Sequence, residues 1–76
     1  MEEKILGVLA EICESEDILE QRNIDLFEEG YLDSLGFAEF LAELEERFQI
    51  VIAPSEVERS DINTPGKILS LVMGRV

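Results

Sequence analysis

The 76-residue sequence contains no histidine, no tryptophan and a single cysteine. Without histidine, the chain lacks the usual metal clusters and the imidazole base of a serine–histidine triad. Basic residues are also scarce, because 6 Lys and Arg stand against 18 Asp and Glu, for a net charge of -12. Nucleic acids and anionic membrane surfaces are bound through Lys and Arg, so this charge balance disfavours both as partners. We expect no catalysis by the chain itself.

Long apolar runs are missing as well, since none approaches the ~20 residues that a membrane-spanning helix needs. The first residues, MEEK, are not the basic start of a signal peptide. One cysteine cannot form an internal disulfide. We therefore expect a monomeric cytoplasmic protein with one domain, residues 1–76, and no membrane insertion. Hydrophobic residues make up 46% of the sequence and recur periodically, which predicts a folded chain rather than a disordered one.

Apolar residues at helical spacing predict a helix at each end of the chain. The first runs over residues 2 to about 14, and its core positions are Ile5, Val8, Leu9 and Ile12. Cys13, near its end, is expected to be a small core residue, because no Lys, Arg or His nearby would activate it. The last helix opens with Thr64 as its N-cap and Pro65 at its first helical position. Its core positions are Ile68, Leu69 and Val72.

The longest predicted helix runs from about Ser34 to Phe48 and is amphipathic. At about 100° per residue, one third of its circumference carries the core side chains Phe37, Phe40, Leu41, Leu44 and Phe48. The opposite side carries a small apolar stripe of Leu35, Ala38 and Ala42. Acidic side chains frame that stripe: Glu39, Glu43, Glu45 and Glu46. A large apolar residue, Leu35, therefore points away from the core directly after Ser34.

The segments between the helices are irregular. Residues 15–33 form a long connection rich in cap and turn residues, in which residues 25–27 are expected to make a short helical turn. Residues 50–52 form a short extended apolar link, and no sheet is predicted because a lone strand has no partner. Ser55 is expected to cap one turn through residues 56–58. The predicted fold is all-α, with three main helices plus one short helical turn and a long first loop.

Ser34 lies where the long connection gives way to the second helix, and a hydroxyl there has two physical meanings. It marks an N-cap if Ser34 or Asp33 accepts a bond from a free backbone N–H of the first turn. It is a modification site if Ser34 carries a phosphate ester, which the free N–H groups and dipole of a helix N-terminus stabilise. The two are compatible, because Asp33 can cap the helix while Ser34 is modified. A catalytic serine fits badly, since it requires a base and an oxyanion hole.

The segment GYLDSLG at residues 30–36, the acidic helix after it and TPGKI at 64–68 resemble the acyl carrier protein family. The resemblance covers the whole chain, including its helix lengths, long first loop and acidity. It implies that Ser34, preceded by Asp33, carries a 4'-phosphopantetheine arm transferred from coenzyme A by a phosphopantetheinyl transferase. The arm ends in a thiol that holds an acyl or aminoacyl group as a thioester. That thiol would supply the reactive group that the sequence itself lacks.

The resemblance also implies that the second helix docks on basic patches of partner enzymes. In this sequence the apolar contacts would be Leu35, Ala38 and Ala42. The acidic contacts would be Glu39, Glu45 and Glu46. The partners would be the transferase, an adenylating ligase or acyltransferase that loads the arm, and a downstream acyl acceptor enzyme. Such charge pairing speeds and selects encounters more than it tightens them, which suits a shuttle that must leave each partner.

Three segments make the chain look most like D-alanyl carrier proteins, which deliver D-alanine for cell-envelope teichoic acids. They are LDSLG at 32–36, EVER at 56–59 and NTPGKI at 63–68. A stand-alone carrier of a specialised fatty-acid, polyketide or peptide pathway is the alternative, because Phe37 and Ile62 depart from the pattern of that subfamily. A housekeeping fatty-acid carrier ranks third. An unmodified acidic interaction module, for which the Ser34 hydroxyl is dispensable, is a more distant alternative. The bulky Phe37 and Phe40 predict a small or exposed cargo.

Overall fold

The computed structural model describes residues 1–75, which form four α-helices. They are α1 (Glu2–Cys13), α2 (Ser34–Phe48), α3 (Arg59–Ile62) and α4 (Pro65–Met73). Two 3-10 turns lie between them, at Asp17–Leu19 and Pro54–Glu56. Over residues 1–75 the backbone forms no strand, and no helix there is long and apolar enough to cross a membrane. The predicted all-α fold is confirmed, with α1, α2 and α4 as its three main helices.

Local capping signals set the ends of these three helices. Asp33 caps α2, because its Oδ1 accepts the Gly36 N–H at 2.7 Å. Thr64 caps α4 in the same way, with its Oγ1 accepting the Lys67 N–H at 3.1 Å. The predicted starts of α2 and α4 are therefore confirmed. Both α1 and α2 end on a residue in the left-handed region, Glu14 (φ 55°) and Gln49 (φ 56°).

A single cluster of buried apolar side chains holds the helices together, with α1 lying against both α2 and α4. Phe40 and Leu44 of α2 are fully buried in it. The rings of Phe37 and Phe40 lie 6.3 Å apart between centroids, which is within the range of favourable aromatic contacts. Ile12 and Phe48, also predicted as core residues, are partly buried and pack against the cluster. The helical periodicity thus identifies the inward face of α2 correctly.

The long first loop is fixed to the rest of the chain at several points. The side chains of Ile18 and Leu26 are fully buried. The Leu26 N–H donates to the Asn63 carbonyl at 2.7 Å, and the Arg22 carbonyl accepts the Gly66 N–H at 2.9 Å. A Cβ added at Gly66 would lie 3.1 Å from that Arg22 oxygen, so glycine permits the close approach. These contacts hold the segment that leads into α2 against the corner between α3 and α4.

The turn before α3 differs from the prediction. The predicted turn through residues 56–58, capped by Ser55, is wrong, because the 3-10 turn occupies Pro54–Glu56 and follows Ala53. Proline fixes the backbone φ of the first turn position and has no N–H that needs an acceptor. The Glu56 carboxylate then accepts the Ala53 N–H at 2.8 Å and closes the turn.

Two further short elements were not predicted. One is the helix α3, which comes soon after the turn at Pro54–Glu56. The Asp61 carboxylate at its third position accepts the Glu58 N–H at 3.1 Å. The other is the 3-10 turn at Asp17–Leu19 in the first loop. The predicted helical turn at residues 25–27 is confirmed as a single turn, in which the Asp25 carbonyl accepts the Glu29 N–H at 3.0 Å and the Asp25 carboxylate accepts the Phe27 and Glu28 N–H groups.

Candidate functional site

Ser34 is the first residue of α2, and its side chain is exposed. The capping role belongs to Asp33, whose carboxylate holds the Gly36 N–H. Within residues 1–75 the Ser34 hydroxyl makes no hydrogen bond, so the fold does not use it as a cap. The helix cap and the candidate modification site are therefore two adjacent residues with separate roles.

The first turn of α2 leaves backbone donors free beside Ser34. The Gly36 N–H donates to the Asp33 carboxylate, and the Phe37 N–H donates to the Asp33 carbonyl at 2.9 Å. The N–H groups of Ser34 and Leu35 have no acceptor in the part of the chain that the structure describes. Free N–H groups and the positive end of the helix dipole stabilise a phosphate at this position. The residues present therefore fit a phosphate ester on Ser34.

Gly36 permits the tight geometry of this first turn. A Cβ at Gly36 would lie 3.2 Å from the Asp33 carboxylate oxygen and 3.2 Å from the Leu32 side chain. Because both contacts are closer than ordinary van der Waals distance, a larger residue would require the Asp33 carboxylate and the Leu32 side chain to shift by a few tenths of an ångström. Gly36 belongs to the GYLDSLG motif, but this role in the helix cap was not predicted. Its position three residues after the capping Asp33 is the signal that could have identified that role.

Ser34 opens onto a cleft of about 230 Å3 between α2, α3 and the turn that precedes α3. We call this the Ser34 cleft; its other lining residues are Phe27, Phe37, Pro54, Val57, Arg59 and Ile62. Its wall is mostly apolar, and the Arg59 guanidinium adds a positive charge. The guanidinium carbon lies 4.4 Å from the centroid of the Phe27 ring, in a cation–π arrangement. Sequence reasoning did not identify this cleft, because its residues come from three separate stretches of the chain, at residue 27, residues 34–37 and residues 54–62.

The predicted partner-binding residues all lie on one exposed side of α2. Leu35 is 70% exposed, so the prediction that it points away from the core is confirmed. We define the α2 docking face as the following exposed residues: Leu35, Ala38, Glu39, Ala42, Glu45 and Glu46. A groove of about 210 Å3 runs beside this face, between α2 and the link after it. Val51 lines the groove and is 64% exposed, which extends the apolar stripe beyond the helix.

Ion pairing separates Glu43 from the other glutamates of α2. Arg47 pairs with Glu43 at 2.7 Å and with Glu11 of α1 at 3.3 Å. Across residues 1–75, three exposed α2 glutamates make no ion pair with this chain: Glu39, Glu45 and Glu46. Their charges are thus available to a basic partner, although their use as a docking surface stays a prediction.

Cys13 does not supply a reactive thiol. It is 8% exposed, and burial raises the pKa of its thiol from 9.0 to about 11. Since the thiolate is the nucleophilic form, a thiol with this pKa is inert at neutral pH. Nor do residues 1–75 contain a group of three or more side chains that could hold a metal ion. The site can therefore present an attachment point, but its own side chains do not form a nucleophile with a base.

The family of this chain follows from comparison with known proteins. A family described as "Phosphopantetheine attachment site" matches residues 3–72, which is nearly the whole chain. The chain therefore belongs to the family of carrier domains that bear a phosphopantetheine attachment site. The predictions of an acyl carrier protein and of a 4'-phosphopantetheine cofactor are confirmed. Carrier proteins of this kind are generally not catalytic.

Three similar relatives are D-alanyl carrier proteins. A D-alanyl carrier protein of Abiotrophia defectiva is 46% identical over 76 residues, which cover 100% of this chain and 96% of the relative. A D-alanyl carrier protein of Streptococcus suis is 44% identical over 73 residues, or 96% of this chain and 91% of the relative. One from Bacillus subtilis is 41% identical over 68 residues, or 90% and 87%. The predicted resemblance to D-alanyl carrier proteins is confirmed.

Proposed function

We propose that Ser34 carries the 4'-phosphopantetheine arm and that the loaded group is D-alanine. The main support for attachment at this residue is the exposed Ser34 hydroxyl, which makes no hydrogen bond in the fold and lies beside two free N–H groups of α2. In the transfer, Ser34 Oγ loses its proton and forms a bond to the phosphorus next to pantetheine in coenzyme A. The pyrophosphate P–O bond breaks, and adenosine 3',5'-bisphosphate leaves. The arm then supplies the thiol for a thioester.

The D-alanine cargo is supported by two independent facts. The relatives at 41–46% identity are D-alanyl carrier proteins, and they match this chain over nearly its whole length. Phe37 and Phe40 fill the core behind the Ser34 cleft, which suits a small cargo that stays outside the helices. A specialised acyl cargo is the alternative outcome of the loading experiment.

The partners follow from this reaction sequence. The transferase adds the arm, an adenylating ligase loads the amino acid, and an acceptor enzyme removes it. Loading would take place in the cytoplasm, where coenzyme A and ATP are supplied. A net charge of -12 disfavours self-association, so we propose that the chain works as a monomer and catalyses none of these steps itself.

Intact-protein mass spectrometry tests both halves of the proposal. The chain is incubated with coenzyme A and a promiscuous phosphopantetheinyl transferase, and then with ATP, D-alanine and a D-alanyl carrier ligase. We expect one phosphopantetheine and then one alanyl group, with peptide mapping placing both on the peptide that contains Ser34. L-Alanine and octanoyl thioester donors serve as matched cargo controls.

The attachment to Ser34 and the D-alanine cargo would be contradicted by different results. A folded chain that gains no phosphopantetheine would reject the attachment to Ser34 and favour the unmodified acidic module. A chain that gains the arm but accepts no D-alanine would keep the carrier function and reject the cargo, in favour of a specialised acyl pathway.

Charge reversal on the α2 docking face is expected to slow arm transfer. Glu39→Lys and Glu46→Lys each replace an exposed, unpaired carboxylate with a cation, which weakens the electrostatic attraction to a basic partner surface. We expect the apparent kcat/KM of the transferase to fall on the order of tenfold for each variant at low salt. Glu20→Lys makes the same charge change in the first loop and is expected to leave the rate within about twofold. Equal rates for all three variants would place docking on another surface.

A further inference from the structure

The basic side chains of this acidic chain are mostly engaged with acceptors of their own. Arg22 pairs with Glu2 at 3.4 Å, and Arg75 pairs with Glu56 at 2.6 Å. Arg47 has the two partners described above, and Lys67 Nζ donates to a backbone carbonyl at 2.8 Å. Arg59 differs from these four: like Lys4 of α1, it makes no ion pair or hydrogen bond within residues 1–75, and its guanidinium lies on a phenyl ring. Its five N–H donors are therefore available to an external acceptor.

The position of Arg59 places these donors beside the attachment point. Arg59 and Ser34 line the same cleft, and the Phe27 ring under the guanidinium lines it too. We infer that Arg59 binds the phosphodiester at the root of the arm on Ser34 and holds that root in the Ser34 cleft. The inference rests on the proposed attachment at Ser34, and it adds a residue of α3 to a site otherwise built on α2.

The chemistry of the two groups is complementary. A phosphodiester carries one negative charge, and the planar guanidinium can donate two parallel hydrogen bonds to its oxygens. Stacking on Phe27 fixes the guanidinium plane before the phosphate is present, so less side-chain entropy is lost when the bond forms. The free N–H groups at the start of α2 would be further donors to the same phosphate.

The surrounding charges favour Arg59 as the partner of the phosphodiester. Asp33 precedes the attachment point, and the chain as a whole is strongly acidic, so a phosphodiester without a cation beside it would be repelled. Asp25 and Glu28 line a second depression on the other side of Arg59, and they are its rival acceptors. Neither forms a salt bridge with Arg59 in this structure, so the guanidinium stacked on Phe27 keeps its N–H donors free for a phosphate in the Ser34 cleft.

Nuclear magnetic resonance of the chain with and without its arm tests the inference. Attachment is first verified by intact mass, so a failure to load would count against the proposed function and not against Arg59. In the loaded parent we expect the Arg59 Nε–Hε signal to shift and its exchange with water to slow, whereas the Arg75 signal stays unchanged. The shift should be lost in about 1 M sodium chloride, where the Debye length falls to about 3 Å.

Variants provide an independent readout on the phosphorus atom. Arg59→Gln should move the 31P signal of the loaded arm, and Arg59→Lys, which keeps the charge without the planar fork, should move it less. Arg75→Gln is the matched control and should leave it in place. An Arg59 signal that responds no more than that of Arg75, or a 31P signal unchanged in Arg59→Gln, would overturn the inference. If Arg59→Gln folds poorly, the Arg59 signal of the parent with and without its arm still tests the inference.

Discussion

Ser34→Ala is expected to abolish the gain of a phosphopantetheine group completely. The variant lacks the oxygen proposed to form the phosphate ester, and it retains the other residues of the first turn of α2. Because Asp33 caps α2, the loss of the Ser34 hydroxyl should change the free energy of unfolding by less than about 0.5 kcal/mol. Intact mass after exhaustive incubation with coenzyme A and a transferase measures the first effect, and urea unfolding followed by circular dichroism measures the second.

Ser70→Ala is the control for this experiment. Ser70 is exposed on α4 and distant in sequence from Ser34, so the Ser70→Ala variant should gain the arm as the parent does. A mass gain on folded Ser34→Ala would show that the arm attaches to another hydroxyl. A loss of folding in Ser34→Ala would show that the serine has a structural role which its exposure and its lack of a hydrogen bond do not indicate.

Much of this site could be predicted from sequence because its signals are local. The identity of the cap, the start of α2 and the outward direction of Leu35 all depend on residues within one or two helical turns. The two readings of the Ser34 hydroxyl could not be separated in the sequence, since Asp33 and Ser34 are both good N-caps. The hydrogen bond from Gly36 to Asp33 resolves this point, because it assigns the cap to one residue and leaves the other free.

The features that sequence reasoning missed depend on distant residues. Arg59 meets Phe27 across 32 positions of the chain, and no periodicity or spacing rule links the two. The helix α3 has four residues and is too short for an amphipathic pattern to be visible. Val51 lies between two buried isoleucines, so its exposure follows the alternation of an extended link, but its place beside α2 depends on the turn at Pro54.

Phe40→Ala is expected to be the most destabilising substitution in α2. The Phe40 side chain is fully buried and contacts the Phe37 ring, so its removal leaves a cavity in the centre of the core. Phe→Ala changes at such positions cost about 3–5 kcal/mol. A chain of this length has a total stability of about 4–11 kcal/mol, taken at 0.05–0.15 kcal/mol per residue. The variant should therefore lose a large part of its stability, which urea unfolding followed by circular dichroism will show as a much lower midpoint.

Leu35→Ala is the matched control, because it truncates a large apolar residue of the same helix that is 70% exposed. Its stability should change by less than about 0.5 kcal/mol, while arm transfer by the transferase slows because the apolar contact on the docking face is lost. Phe40→Ala should show the reverse: low stability, but a normal transfer rate per folded molecule at low temperature. Equal loss of stability in the two variants would contradict the assignment of these residues to opposite faces. The two variants thus separate the inward face of α2, which packs in the core, from its exposed outward face, for which we propose contact with partner enzymes.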